Sequence, residues 1–189
     1  QARVVINASG PWVNQVLEKF DLHHQPLPIE LVQGTHLIVS GELTKGIYYV
    51  EAPTDQRAVF VMPWKGNTLV GTTETGYTGD PGAVQPLKAE TDYLLHTLSH
   101  YFPHYQGQPV LDSFAGLRVL PHAEGHSFTR SRDTELVVDR SQQPRLLTIY
   151  GGKLTAYRLT AEKVLHKLRS SLRPVPSRPI DTKAIRLDI

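Results

Sequence analysis

The run Leu146-Leu147-Thr148-Ile149-Tyr150-Gly151-Gly152-Lys153-Leu154-Thr155 passes from an apolar strand pattern through two glycines into a helix start. Backbone without a Cβ can approach a ligand closely. The unpaired N–H groups and the dipole of a helix start favour negative charge. The segment therefore predicts a seat for an anionic ligand or an electron-rich cofactor edge on Gly152 to Thr155. The plainer alternative is a left-handed turn with a threonine near a helix start. Gly-x-x-x-x-Gly-Lys spacing is absent, so this is not a P-loop.

Three further residues stand where chemistry could use them. Arg118 lies in the otherwise apolar strand pattern Phe114 to Leu120, sharing the parity of Phe114 and Leu120. A guanidinium among apolar neighbours needs either an internal carboxylate or an anionic ligand. Arg130 and Arg132 could add a second guanidinium to a phosphate or carboxylate, or sit in a solvated turn beside Asp133. His36 is embedded in Val32 to Val39, where it is either a proton-handling group near neutral pH or a satisfied core histidine. His96, His100 and His104 recur at intervals of four. Pro103 interrupts that helix and no carboxylate shares the stripe, which argues against a metal. His23-His24, His122 and His126 read as loop residues.

The elements that must position these residues are legible in outline. Val4-Val5-Ile6 predicts a short buried strand, followed by the small-residue turn Asn7-Ala8-Ser9-Gly10-Pro11. Trp12, Val13, Val16, Leu17 and Phe20 predict one stripe of an amphipathic helix ending near Asp21. Period-two segments then predict strands at 29–40, 46–52, 58–63 and 68–73, with Lys65-Gly66-Asn67 joining the last two as a hairpin. Asp80-Pro81-Gly82 is a turn, and 88–102 predicts a helix stopped by Pro103. Strands follow at 110–120, 134–138 and 145–150. Leu154, Tyr157, Ala161, Val164, Leu165 and Leu168 predict a closing helix, and a proline-rich tail follows Arg173.

A βα piece, an antiparallel sheet with one helix, and a second βα piece suggest a sheet domain inserted into an α/β nucleotide-binding domain. The predicted fold class is α+β, an antiparallel β-sheet substrate (cap) domain with helices on one face plus edge βα pieces of a Rossmann-like domain. The expected divisions are 1–24, 25–143 and 144–172, with 173–189 as linker or tail.

Composition narrows the function class. Hydrophobic residues make up 40% and charged residues 20%, enough for a core and too little charge for a disordered chain. The formal charge of +2 is scattered, which gives no footprint for nucleic acid. No apolar run reaches the eighteen or so residues of a membrane-spanning helix. Zero cysteines exclude thiol nucleophiles, iron–sulfur clusters and thiolate zinc sites. A first residue other than Met, leading at once into a strand, predicts a piece of a longer protein.

Asn7-Ala8-Ser9-Gly10-Pro11-Trp12, Gly34-Thr35-His36, Phe60-Val61-Met62-Pro63-Trp64, Gly71-Thr72-Thr73-Glu74, Ala115 to Leu120, Ser131-Arg132-Asp133 and Tyr150 to Arg158 occur in order at compatible spacing. The set resembles FAD-dependent, quinone-linked glycerol-3-phosphate dehydrogenase of the D-amino-acid-oxidase-like flavoprotein superfamily, over positions 3 to 168. The resemblance implies hydride transfer from C2 of sn-glycerol 3-phosphate to FAD, giving dihydroxyacetone phosphate, with electrons passing on to quinone. It implies that Arg118 and Arg132 bind the substrate phosphate, and that His36, with Lys153 as a second candidate, handles the hydroxyl proton. Gly151, Gly152, Lys153, Leu154 and Thr155 would line the isoalloxazine, and Ala8, Ser9, Gly10 and Trp12 would approach the FAD nucleotide half. The family's Gly-x-Gly-x-x-Gly fingerprint is missing. The expectation is therefore that this chain alone holds FAD weakly or not at all and turns nothing over. The implied location is cytoplasmic, peripheral to the inner face of a bacterial membrane. A related FAD-dependent amine or amino-acid oxidase, or a binding module without flavin chemistry, remains open.

Overall fold

The computed structural model describes residues 2–20, 26–121, 133–173 and 185. Two sheets organise them. The larger is antiparallel and built around β2 (Ile29–Val39), which pairs with β7 (Val110–Pro121) along one edge. Its other edge takes β5 (Asn67–Gly71) and β6 (Thr75–Tyr77); β4 (Ala58–Trp64) and β3 (Tyr48–Glu51) extend the sheet beyond β5. The β4–β5 hairpin closes through Lys65 and Gly66, both at positive φ (50° and 77°). That is the primed two-residue turn matching the twist of the strands.

Alternation decides which face of this sheet is covered. Leu37, Val39, Val59, Val61 and Val70 point to one side and pack with Leu94 and Leu98 of α2 (Lys88–Tyr101) in a single core cluster. The opposite face carries His36, Phe60 and Phe114, on the alternate residues of the same strands.

The smaller sheet has the order β1 (Val5–Asn7), β9 (Leu146–Gly151), β8 (Thr134–Val138), with β1 and β9 parallel. β9 is covered on both faces, as parallel strands are. Leu146 and Tyr150 meet Val13 and Leu17 of α1 (Val13–Leu17), while Leu147 meets Val164 and Leu168 of α3 (Tyr157–Leu168).

Several expectations shift. The first helix is shorter than its apolar stripe predicts: a 3-10 turn spans Gly10–Trp12 and α1 ends at Leu17, leaving Trp12 40% exposed. The closing helix also opens with a 3-10 turn, Leu154–Ala156, and buries only Val164 and Leu168. Leu154, Tyr157 and Leu165 stay exposed, because only two turns of α3 reach the sheet. Thr134–Val138 falls inside the segment assigned to the large sheet, yet it pairs with β9. The sequence reading missed β6, whose three residues are too few to show a period.

Candidate functional site

Where β1 and β9 end side by side, their C-terminal turns form one wall of a cavity of about 610 Å³. Ala8, Gly10, Gly151, Gly152, Lys153, Leu154 and Thr155 line it, and the β7 segment Leu117–Leu120, including Arg118, forms the facing wall. The site after parallel strands, at a helical start, is where α/β folds seat ligands. Leu154 is 89% exposed, so the helical run begins in open space, with the first N–H groups lacking intrahelical partners.

The two glycines have a structural reason of their own. Gly151 and Gly152 sit at φ 65° and 97°, and a Cβ on Gly152 would come within 2.6 Å of Thr134 Oγ1. The turn and the close packing on β8 require glycine here, which is the plainer of the two sequence readings. The cradle is nonetheless present on their far side. The residues therefore suit a flat cofactor edge bearing partial negative charge, the chemistry an isoalloxazine presents.

Ser9 and Trp12 do not line this cavity. Ser9 donates its hydroxyl to Asn7 Oδ1 at 2.6 Å, and Asn7 Nδ2 donates to Val13 O at 2.9 Å, so both fix the turn that presents Ala8 and Gly10.

Arg118 and His36 share one face of the large sheet because Arg118 lies opposite Val32 and His36 opposite Phe114. Four residues of β2 separate those rungs, roughly 13 Å of strand. Gly34 lets the guanidinium bridge part of that gap: a Cβ there would fall 2.9 Å from Arg118 Nη2. Nη2 donates to Thr73 O at 2.7 Å, and Nη1 lies 3.9 Å from Glu74 Oε1. Glu74, whose side chain is 3% exposed, also forms a close ion pair with Arg57. One buried carboxylate thus faces two guanidinium groups. Arg118 thus has the internal carboxylate neighbour of the first sequence reading, and it also lines the cavity.

His36 stacks on Phe114 with centroids 5.2 Å apart and rings 7° from parallel. Burial, and then the positive charge of Arg118, push its pKa below the ordinary histidine value. The ring is neutral at pH 7, with a lone pair able to take a proton. Gly71 lies directly across from His36, and a Cβ on it would overlap the imidazole. Replacing Gly71 by Ala is therefore expected to displace the ring from Phe114 and Arg118. Proton NMR titration of His36 checks this: the variant's pKa should move back toward the ordinary value, and an unchanged titration would contradict the geometry.

Behind Arg118, on the α2 side, lies a group the sequence reading did not single out. Glu90 is 5% exposed, and its Oε2 accepts from Gln33 Nε2 and Thr35 Oγ1, both at 2.6 Å. Its Oε1 accepts from Thr73 and Thr75 hydroxyls, both at 2.7 Å, and the Leu87 N–H donates to Oε2 at 3.2 Å. This carboxylate clips β2 to the segment after β5, the two stretches whose carbonyls face Arg118. Glu74, quoted within the resemblance without a role, and Arg57 likewise stand out only in the structure. Both sit in irregular segments next to strands, where charged residues ordinarily face solvent.

Arg132, and with it Arg130, lies outside the described residues. Among the described residues no three His, Cys, Asp or Glu side chains form a group able to hold a metal. His100 and His104 instead make ring contacts with their neighbours Tyr101 and Tyr105.

The chain is 37% identical over 175 residues to an aerobic glycerol-3-phosphate dehydrogenase of Escherichia coli, covering 89% of this chain and 34% of that protein. It is 32% identical over 172 residues to a D-erythritol 1-phosphate dehydrogenase of Brucella abortus, with the same coverage. The X-ray structure of the glycerol-3-phosphate dehydrogenase from Bacillus halodurans, complexed with FAD, superposes with a TM-score of 0.73 at 32% identity. That match covers 88% of this chain and 32% of the other. The chain thus spans about a third of the length of these relatives. A glycine oxidase from Bacillus cereus, at 18% identity and a TM-score of 0.58, shares the fold alone. The FAD dependent oxidoreductase family model matches residues 1–158, and this chain belongs to that family.

Proposed function

We propose that this chain supplies the substrate-facing sheet, and part of the flavin cradle, of a dehydrogenase oxidising sn-glycerol 3-phosphate to dihydroxyacetone phosphate. The observation that carries the reading is the placement of Arg118 and His36 on one sheet face, with Arg118 also walling the glycine-lined cavity. In this proposal residues 26–121 form the substrate domain, and the β1–α1 and β8–β9–α3 segments form an edge of the FAD domain.

Each residue has a task that its surroundings fit. Arg118, joined by Arg132, orients the phosphate through paired N–H donors. Thr73 O holds Nη2, so the fork is oriented before substrate arrives. His36, kept neutral, accepts the C2 hydroxyl proton as the C2 hydrogen departs with its electron pair. Lys153, on the cavity wall, is the second candidate for that proton. FAD, when bound, supplies the acceptor for the hydride. Gly151 to Thr155 would lie along the isoalloxazine, with Ala8 and Gly10 toward the nucleotide half. Ser9 and Trp12 would support that turn from behind it.

Quinone as the onward acceptor, and a peripheral seat on the inner face of a bacterial membrane, belong to the same proposal. No helix among the described residues is long and apolar enough to cross a membrane.

Replacing Arg118 by Gln in the complete enzyme tests the reading. Loss of a charge-assisted contact to phosphate should raise KM for glycerol 3-phosphate roughly 10- to 100-fold, with a smaller effect on kcat. An unchanged KM would point to an amine or amino-acid oxidase instead. D-erythritol 1-phosphate serves as a second phosphoester in the same assay, since one relative carries that name. The isolated 189-residue chain is expected to purify colourless and to gain no flavin absorption on adding FAD. A yellow chain would show that these edges suffice to hold the cofactor.

A further inference from the structure

The opposite end of the small sheet carries a feature that the proposed dehydrogenase reaction does not use. Arg3 precedes β1, Arg145 precedes β9, Arg140 lies on the β8–β9 turn, and Ser171 and Arg173 follow α3. All five line one cleft of about 860 Å³, together with polar neighbours that include Gln142 and Gln143. β9 separates this cleft from the glycine-lined cavity by its own length, about 20 Å.

The charges in the cleft do not balance. Arg140 Nε donates to Asp139 Oδ2 at 2.9 Å. The other oxygen of Asp139 is taken by the backbone N–H groups of Arg145 and Leu146. Among the described residues no carboxylate pairs with Arg3, Arg145 or Arg173. The C-terminal end of α3 contributes roughly half a negative charge. That and Asp139 leave an excess of more than two positive charges. The buried Ser171 hydroxyl oxygen has no hydrogen-bond partner among the described residues.

The arginines converge because the backbone holds them there. Val5 N donates to Arg145 O at 2.8 Å, which fixes the ends bearing Arg3 and Arg145 side by side. Ser171 N and Leu172 N both bond Leu168 O, so the chain continues as a helical turn past α3, and Ser171 and Arg173 reach the same cleft. Several guanidinium forks and a hydroxyl around a polar cleft are the donor set that suits phosphate oxygens.

We propose that this cleft binds the phosphate group of an anionic phosphoester, at a site distinct from the glycine-lined cavity. The ligand is held by Arg3, Arg145 and Arg173, with Ser171 as a neutral donor. A free phosphoester and a lipid headgroup present the same chemistry, and the test separates them.

Titration calorimetry of the 189-residue chain with inorganic pyrophosphate, at low ionic strength, is the first arm. Sedimentation with phosphatidylglycerol-containing vesicles, against pure phosphatidylcholine vesicles, is the second. The double variant R145Q/R173Q should weaken binding roughly tenfold or more. R169Q removes one charge, against two in the double variant, from α3's end outside the cleft and should leave binding nearly unchanged. Pyrophosphate binding without vesicle binding identifies a free phosphoester; vesicle binding lost in the double variant identifies a headgroup. No binding in either arm would overturn the proposal. So would an R169Q loss equal to that of R145Q/R173Q, which would mean bulk charge alone. The replaced side chains are exposed and the backbone contacts of Arg145 do not involve its side chain, so circular dichroism should show both variants folded.

Discussion

Replacing Glu90 by Ala should destabilise the chain by ~3–5 kcal/mol, a large share of an ordinary domain's total. The carboxylate accepts five hydrogen bonds, and its removal leaves the Gln33 amide, three threonine hydroxyls and the Leu87 N–H facing a buried void. Each unsatisfied buried donor costs about 1–3 kcal/mol before relaxation. Burial raises the pKa of Glu90, but the hydrogen bonds from Thr35, Thr73, Thr75 and Leu87 outweigh it and hold the pKa below the ordinary carboxylate value. The folded state therefore binds a proton less readily than the unfolded one. The associated stability is fully present above the unfolded carboxylate pKa and is lost as pH falls through the lowered folded value. Urea unfolding at neutral and acidic pH checks both parts: wild type should weaken in acid, and Glu90→Ala should be weak at both. Equal midpoints for the two proteins at neutral pH would contradict the network's role.

His36→Gln carries the second large effect, on chemistry. In the complete enzyme kcat for glycerol 3-phosphate should fall about 10²- to 10⁴-fold, the range of a lost general base. Because burial and Arg118 lower the pKa of His36, the neutral, proton-accepting form persists to more acidic pH than an ordinary histidine allows. The wild-type rate should rise with pH through that lowered pKa and level off above it. The variant should lack that limb. A full-rate variant, or one that retains the limb, would assign the proton to another group, with Lys153 the next to test.

Much of the scaffold is legible in the sequence for a physical reason. β4 alternates between covered and exposed residues, and Lys65-Gly66 is a turn whose geometry a glycine permits, so the hairpin is fixed locally. Parity places Arg118 with Phe114, but only register across β2 shows that His36 joins them. Register depends on long-range pairing and has no local signature. Glu90 reads from sequence as an ordinary first-turn helix acid. It is buried because α2 starts over threonines drawn from two distant segments. The Glu74 pairing with Arg57 and Arg118 is hidden for the same reason, joining a turn, a strand end and a third strand. Gly152 lines the cavity, and the Thr134 hydroxyl beside it, invisible in the sequence, gives a second reason for glycine there.

The most direct measurement is anaerobic mixing of the complete flavoenzyme with sn-glycerol 3-phosphate while its visible flavin absorption is followed. The expected result is bleaching by the phosphoester, with dihydroxyacetone phosphate as product, and none by glycine or D-amino acids. Bleaching by an amino acid, with glycerol 3-phosphate inert, would contradict it.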